Sequence, residues 1–159
     1  MSVLETTADR AQKAIAALER SSWIPQLLVR LFVGYFFFET GWGKAQNLDA
    51  ITERFVGWGI PLSGVSVALS VYTELIGGVL LIVGLGTRLA AIPLLINMLV
   101  AIFTVNIKKV SGLDEFVELD TPLYALVFLW LLFSGPGYVS LDHLLWKRWR
   151  YPRHAPVAT

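Results

Sequence analysis

Four long apolar runs fall within only 159 residues, and few folds can accommodate them. The first, "IPQLLVRLFVGYFFFETGWGKA", covers about 24–45. The second runs over about 62–84, the third over about 88–105, and "TPLYALVFLWLLFSGPGY" over about 121–138. A membrane span needs about 20 apolar residues. The fourth run is the shortest, because Gly135-Pro136-Gly137 stops it, yet it suffices if untilted. The chain is 55% hydrophobic and 16% charged, against about 25% charged in an average soluble domain. That leaves too little polar chain to cover four such runs in water. The expectation is an all-α integral membrane protein, an antiparallel four-helix bundle with one transmembrane domain over 24–139. An interfacial segment, 1–23, precedes it, and a basic-aromatic tail, 140–159, follows.

The borders of the runs carry helix punctuation. Pro25 and Pro122 suit first turns, Pro61 precedes span two, and Pro93 falls in the early turns of span three, where a mild kink is expected. Gly84 and Gly86 end span two and Thr87 is placed to cap span three, so these two spans form a tight hairpin. In segment 3–20, Ala11, Ile15 and Leu18 oppose Arg10, Lys13, Glu19 and Arg20. That pattern suits an amphipathic helix on a membrane surface, or equally a partly ordered soluble tail. Lys and Arg placement sets orientation. The N-tail, the 84–88 turn and the C-tail hold eight (Arg10, Lys13, Arg20, Arg88, Lys147, Arg148, Arg150, Arg153). The opposite loops hold four: Lys44, Arg54, Lys108 and Lys109. Both termini are therefore expected to be cytoplasmic, with "WKRWRYPR" as an interfacial anchor.

Composition also excludes chemistry. A net charge of +1 offers no nucleic-acid surface. With no cysteine, the chain holds no disulfide, thiol relay or cysteine-ligated cluster. Its two histidines, His143 and His154, lie beyond the last apolar run, so no bis-histidine haem fits inside the bundle and no metal site is expected. Asp114, Glu115, Glu118 and Asp120 lack ligand spacing and read as a solvated acidic loop. "GLGTR" is a helix–helix turn, since no strand precedes it and no third glycine follows.

Ionisable residues inside spans are rare and mark candidate sites. At about 100° per residue, Arg30, Gly34, Phe37, Gly41 and Lys44 share one face of span one. Glu39 points the opposite way and is expected to meet Lys44, Arg54 or outer-face water. On span two, Glu74 and Gly78 share a face with Gly77 beside it, and all four glycines allow close helix approach. A rise of about 1.5 Å per residue puts Glu74 near the midplane, about 15 Å deep, and Arg30 a little below it. Arg30 is thus the expected partner of Glu74, with Arg88 second, and Asn97 a hydrogen-bonding residue nearby. Such a group is either a neutralised tie between helices or the lining of a polar pocket.

The order Arg30-x3-Gly34-x6-Gly41-x2-Lys44, then "GWGIP", then "TELIGGVLLIVGLGTRLAAIPLLINMLVA", and finally "GPGYVSLDHLL" resembles the DoxX family of small bacterial membrane proteins over about 27–145. The resemblance implies a four-helix inner-membrane bundle, related to the membrane subunit of a thiosulfate:quinone oxidoreductase. It places Arg30, Lys44, Glu74 and Arg88 on family positions, and leaves Glu39 unplaced. Where many relatives close span three on a histidine this chain has Asn106, so imidazole chemistry there lacks its group. The expected function is an inner-membrane oxidoreductase subunit that binds a quinone in a polar pocket and works with a partner subunit carrying the redox cofactor. It would not be a complete enzyme alone. Alternatives are a non-catalytic anchor or scaffold subunit, or a small transporter formed as a homo-oligomer.

Overall fold

A computed structural model describes residues 3–150. Every regular element among them is helical: α1 (Val3–Arg20), α2 (Trp23–Ala45), α3 (Leu48–Gly57), α4 (Ser63–Val83), α5 (Thr87–Ala101), α6 (Leu113–Val117), α7 (Asp120–Ser134) and α8 (Leu141–Arg150). A π-helical segment, Ile102–Asn106, continues α5. Three helical stretches, Gln12–Ala45, Ser63–Val83 and Thr87–Asn106, are long and apolar enough to cross a membrane. The apolar helix α7 is shorter, 15 residues. It stops at Ser134 because Gly135 turns the backbone out with φ 79°. Residues 135–138, read from sequence as the end of the fourth apolar run, belong instead to a turn.

α2 and α4 run antiparallel with their backbones nearly touching. A Cβ on Gly78 would fall 2.6 Å from the Gly34 carbonyl oxygen and 2.6 Å from the Phe38 nitrogen. One on Gly41 would fall 2.8 Å from the Leu75 nitrogen, and one on Gly77 2.8 Å from Leu94 Cδ1 of α5. The helices are therefore held together at the level of main chain, where van der Waals contact replaces the hydrophobic drive that lipid does not supply.

The core is shared by α2, α4, α5 and α7 through Phe37, Leu81, Leu94, Phe128 and Leu131. Phe37 meets Phe128 edge-on at 4.9 Å and Tyr124 at 5.2 Å, which ties α7 to α2. The outward side chains are equally apolar: Phe32, Leu89 and Phe133 are 74–75% exposed. In water such a surface would be an aggregation liability; against lipid it is the ordinary exterior.

Candidate functional site

Two polar groups are built into this apolar body, one at the level of the α4 midpoint and one at the end of the molecule where α2 begins. At the first, the Glu74 carboxylate is 2% exposed. It accepts hydrogen bonds from Lys44 Nζ at 2.5 and 2.7 Å, from Asn97 Nδ2 at 2.9 Å and from Ser70 Oγ at 3.4 Å. Lys44 is half-buried, its side chain 31% exposed. This corrects the expected pairing, in which Arg30 or Arg88 neutralises Glu74. The reason is directional. Helical side chains lean toward the helix N-terminus, so Lys44, one residue from the end of α2, leans inward toward Glu74. Arg30 leans in the same direction, but from its place near the start of α2 that carries it away from Glu74.

Arg30, also 2% exposed, donates from Nη2 to the Val139 carbonyl at 2.6 Å and from Nη1 to the Pro136 carbonyl. It lies against Gly84, where a Cβ would fall 2.8 Å from its guanidinium carbon. The guanidinium therefore sits where α4 and α7 both end, the negative poles of two helices. Gln26 donates to the Gly135 carbonyl at 2.8 Å, and Arg88 to the Phe133 carbonyl at 3.2 Å.

The other half of this clasp is Asp142, on the first turn of α8. Its carboxylate accepts the Gly86 and Thr87 backbone N–H groups at 2.8 and 3.3 Å, while its own N–H donates to the Gly84 carbonyl at 3.0 Å. Thr87 was expected to cap α5; Asp142, 55 residues further along the chain, supplies the cap instead. The Thr87 hydroxyl is buried without a partner. Ser140 in turn caps α8, its Oγ accepting the His143 N–H at 3.1 Å and donating to the Gly137 carbonyl at 2.8 Å. Sequence reasoning carried Asp142 only as a letter of "GPGYVSLDHLL" and gave it no role, because a lone acid in a tail carries no periodic signal. That motif was the clue available.

Beside the clasp lies an open cavity of about 800 Å3. Arg88, Gln26 and His143 bring polar groups to it, and Leu89, Tyr138 and Trp146 form much of its apolar wall. His143 packs edge-on to Tyr138 at 5.5 Å. A second, smaller groove of about 320 Å3 lies between α4 and α5 and is lined mainly by apolar side chains such as Leu69, Ile76 and Leu80. Glu74 lines neither of them.

The remaining expected residues lie apart. Glu39 is exposed on the opposite side of α2, and neither Lys44 nor Arg54 bonds it. Asn106 ends the π segment with its Nδ2 buried and unbonded. In the acidic loop, Glu115 accepts the Ser111 N–H at 2.8 Å, and the described residues form no cluster of three His, Asp or Glu side chains fit for a metal. Trp146 to Arg150 lie in α8, while the rest of the expected anchor, residues 151–153, and His154 fall outside the described residues.

The DoxX family profile matches residues 26–107. An uncharacterized membrane protein of Mycobacterium tuberculosis is 35% identical, over 85% of this chain and 95% of its own length. CatD of Bacillus subtilis, provisionally named an oxidoreductase, is 31% identical over 82% of this chain and 93% of its own. The inner membrane protein YqjF of Escherichia coli is 27% identical over 77% and 93%. No solved structure matches the chain.

Proposed function

The chain belongs to the DoxX family, and from that premise we propose that it is a multi-pass inner-membrane subunit of an oxidoreductase assembly. In this reading α7 is the fourth span and both termini face the cytoplasm. The chain binds a quinone in the cavity beside the clasp, and a partner brings the redox cofactor. The observation that carries the reading is that cavity. Its volume of about 800 Å3 is of ligand-binding size. Arg88 and His143 offer donors for quinone carbonyl oxygens, and Leu89, Tyr138 and Trp146 offer apolar surface for the ring and the start of the tail. The name of CatD and the excess of basic residues on the same side of the chain support it further.

The site thus moves from Glu74, where sequence alone would put it, to the end of the molecule. Glu74 already has donors on its carboxylate from three residues, which favours a structural tie there. If the whole molecule is a non-catalytic scaffold, that closed cluster is the observation behind it.

Purification in mild detergent followed by lipid extraction should recover a quinone, and short-chain ubiquinone or menaquinone analogues should quench tryptophan fluorescence saturably. Arg88→Met should weaken that quenching about tenfold, the value of about one charge-assisted hydrogen bond. Glu74→Gln should leave the affinity unchanged in whatever protein remains folded. Absence of both co-purified quinone and saturable quenching defeats the quinone reading and leaves the scaffold.

A further inference from the structure

α2 has a second face that nothing among the described residues covers. Leu28, Phe32, Tyr35, Glu39 and Trp42 follow a spacing of four, three, four and three residues, the repeat of a helix–helix seam. All are exposed, Phe32 at 74%, Tyr35 at 60% and Trp42 at 56%. Between Tyr35 and Trp42 in this seam stands Glu39, with no hydrogen bond or ion pair among the described residues. It lies six residues before the end of α2 at Ala45, about 9 Å along the axis. Because side chains lean toward the helix N-terminus, its carboxylate is aimed away from the nearer membrane surface. A carboxylate held in hydrocarbon without a partner is costly and is ordinarily paired. The contrast with Glu74 is direct, since that carboxylate takes bonds from three other residues.

We propose that this face docks a transmembrane helix of a different protein, one presenting a lysine or arginine at the depth of Glu39. A second copy of this chain fits poorly on charge. A two-fold pair would set Glu39 against Glu39, and the chain's own cations at membrane depth are committed, Lys44 to Glu74 and Arg30 to the carbonyls of the 135–140 turn. A basic residue on a foreign helix satisfies the carboxylate, and Phe32, Tyr35 and Trp42 supply the apolar contact around it. The inference needs that α2 crosses the bilayer with Glu39 inside the hydrocarbon, and nothing of the quinone cavity, so the two stand or fall separately.

The chain has no cysteine, so Ser111→Cys gives a unique labelling site away from the seam. The labelled full-length protein is placed in liposomes with leucine-rich transmembrane peptides of about 20 residues, each carrying one lysine or, as control, leucine at matching depth. Energy transfer should report association about tenfold tighter for the lysine peptide, as one interhelical polar contact in a membrane implies. Glu39→Leu should erase the difference. Equal binding of the two peptides, or a difference that survives Glu39→Leu, overturns the proposal. So does energy transfer between copies of the chain that Glu39→Leu abolishes, since the second copy is then the occupant. The fold control is thermal unfolding in detergent. Glu39→Leu should unfold at or above the wild-type temperature, and a lower one would place Glu39's role inside the chain.

Discussion

Lys44 and Arg30 stand on the same face of α2, fourteen residues apart, and solve the problem of a buried cation in opposite ways. Lys44 meets a carboxylate and forms an ion pair, with Asn97 and Ser70 closing the group. Arg30 meets no carboxylate within ion-pair distance among the described residues and is held by the Pro136 and Val139 carbonyls of the turn that follows α7, beside the end of α4 at Gly84. The comparison teaches that the main-chain carbonyls of a turn, here Pro136 and Val139, can hold a cation without an ion pair, with the nearby C-terminal ends of α4 and α7 adding a favourable dipole. It also teaches that chain direction decides which solution each cation finds. Both side chains lean toward the α2 N-terminus, which carries Lys44 into the body and Arg30 out toward the turn.

If that distinction is right, the two cations should fail differently. Lys44→Met strands the Glu74 carboxylate and should cost about 3 kcal/mol, the lower end for breaking a buried pair because Lys44 is partly exposed. Denaturant unfolding in mixed micelles measures it, and adding Glu74→Leu to the same chain should recover most of the loss. Should the double variant be no better than Lys44→Met alone, the ion pair is not what Lys44 contributes. Arg30→Gln should cost less, about 2 kcal/mol, since it leaves carbonyls rather than a charge without a partner. Its signature is local: hydrogen exchange at Gly86 and Thr87 should quicken as the turn and α8 loosen, while amides around Glu74 keep their protection. Uniform loss of protection across both regions would show that the clasp is not a separate unit. Thr87→Val has the smallest effect and the opposite sign, a gain of up to about 1 kcal/mol, because it replaces a buried hydroxyl that has no partner. A loss instead would mean that the hydroxyl is satisfied after all.

Much of the helical framework is legible in the residues themselves. Apolar runs bounded by proline and glycine mark α2, α4 and α5 to within a few residues. The spacing of Arg30, Gly34, Phe37 and Gly41 defines the side of α2 that is buried. What sequence does not disclose is pairing. Arg30 and Glu74 stand at comparable depths in a one-dimensional reading, and only the lean of side chains along an antiparallel pair separates them. The role of Asp142 is hidden for another reason. It caps a helix that begins 55 residues earlier, and no local rule connects a tail acid to a distant turn. The stop of α7 is legible in Gly135-Pro136-Gly137, although the run bounded at about 138 carries past it, whereas the φ of Gly135 turns the chain aside at the first of the three.

The shortness of α7 has a consequence for the surrounding lipid. Fifteen residues rise about 22 Å, against a hydrocarbon slab of about 30 Å. Were α7 a span, the Gly135–Ser140 turn would fill the shortfall of about 8 Å, and its main-chain oxygens, bonded by Arg30, Gln26 and Ser140, would be tolerable at that depth. If α7 crosses the bilayer, hydrophobic mismatch makes the membrane thinner along that edge than along α2. The protein then has a thickness preference that differs around its perimeter, and short-chain lipids should gather on the α7 side, next to the mouth of the cavity.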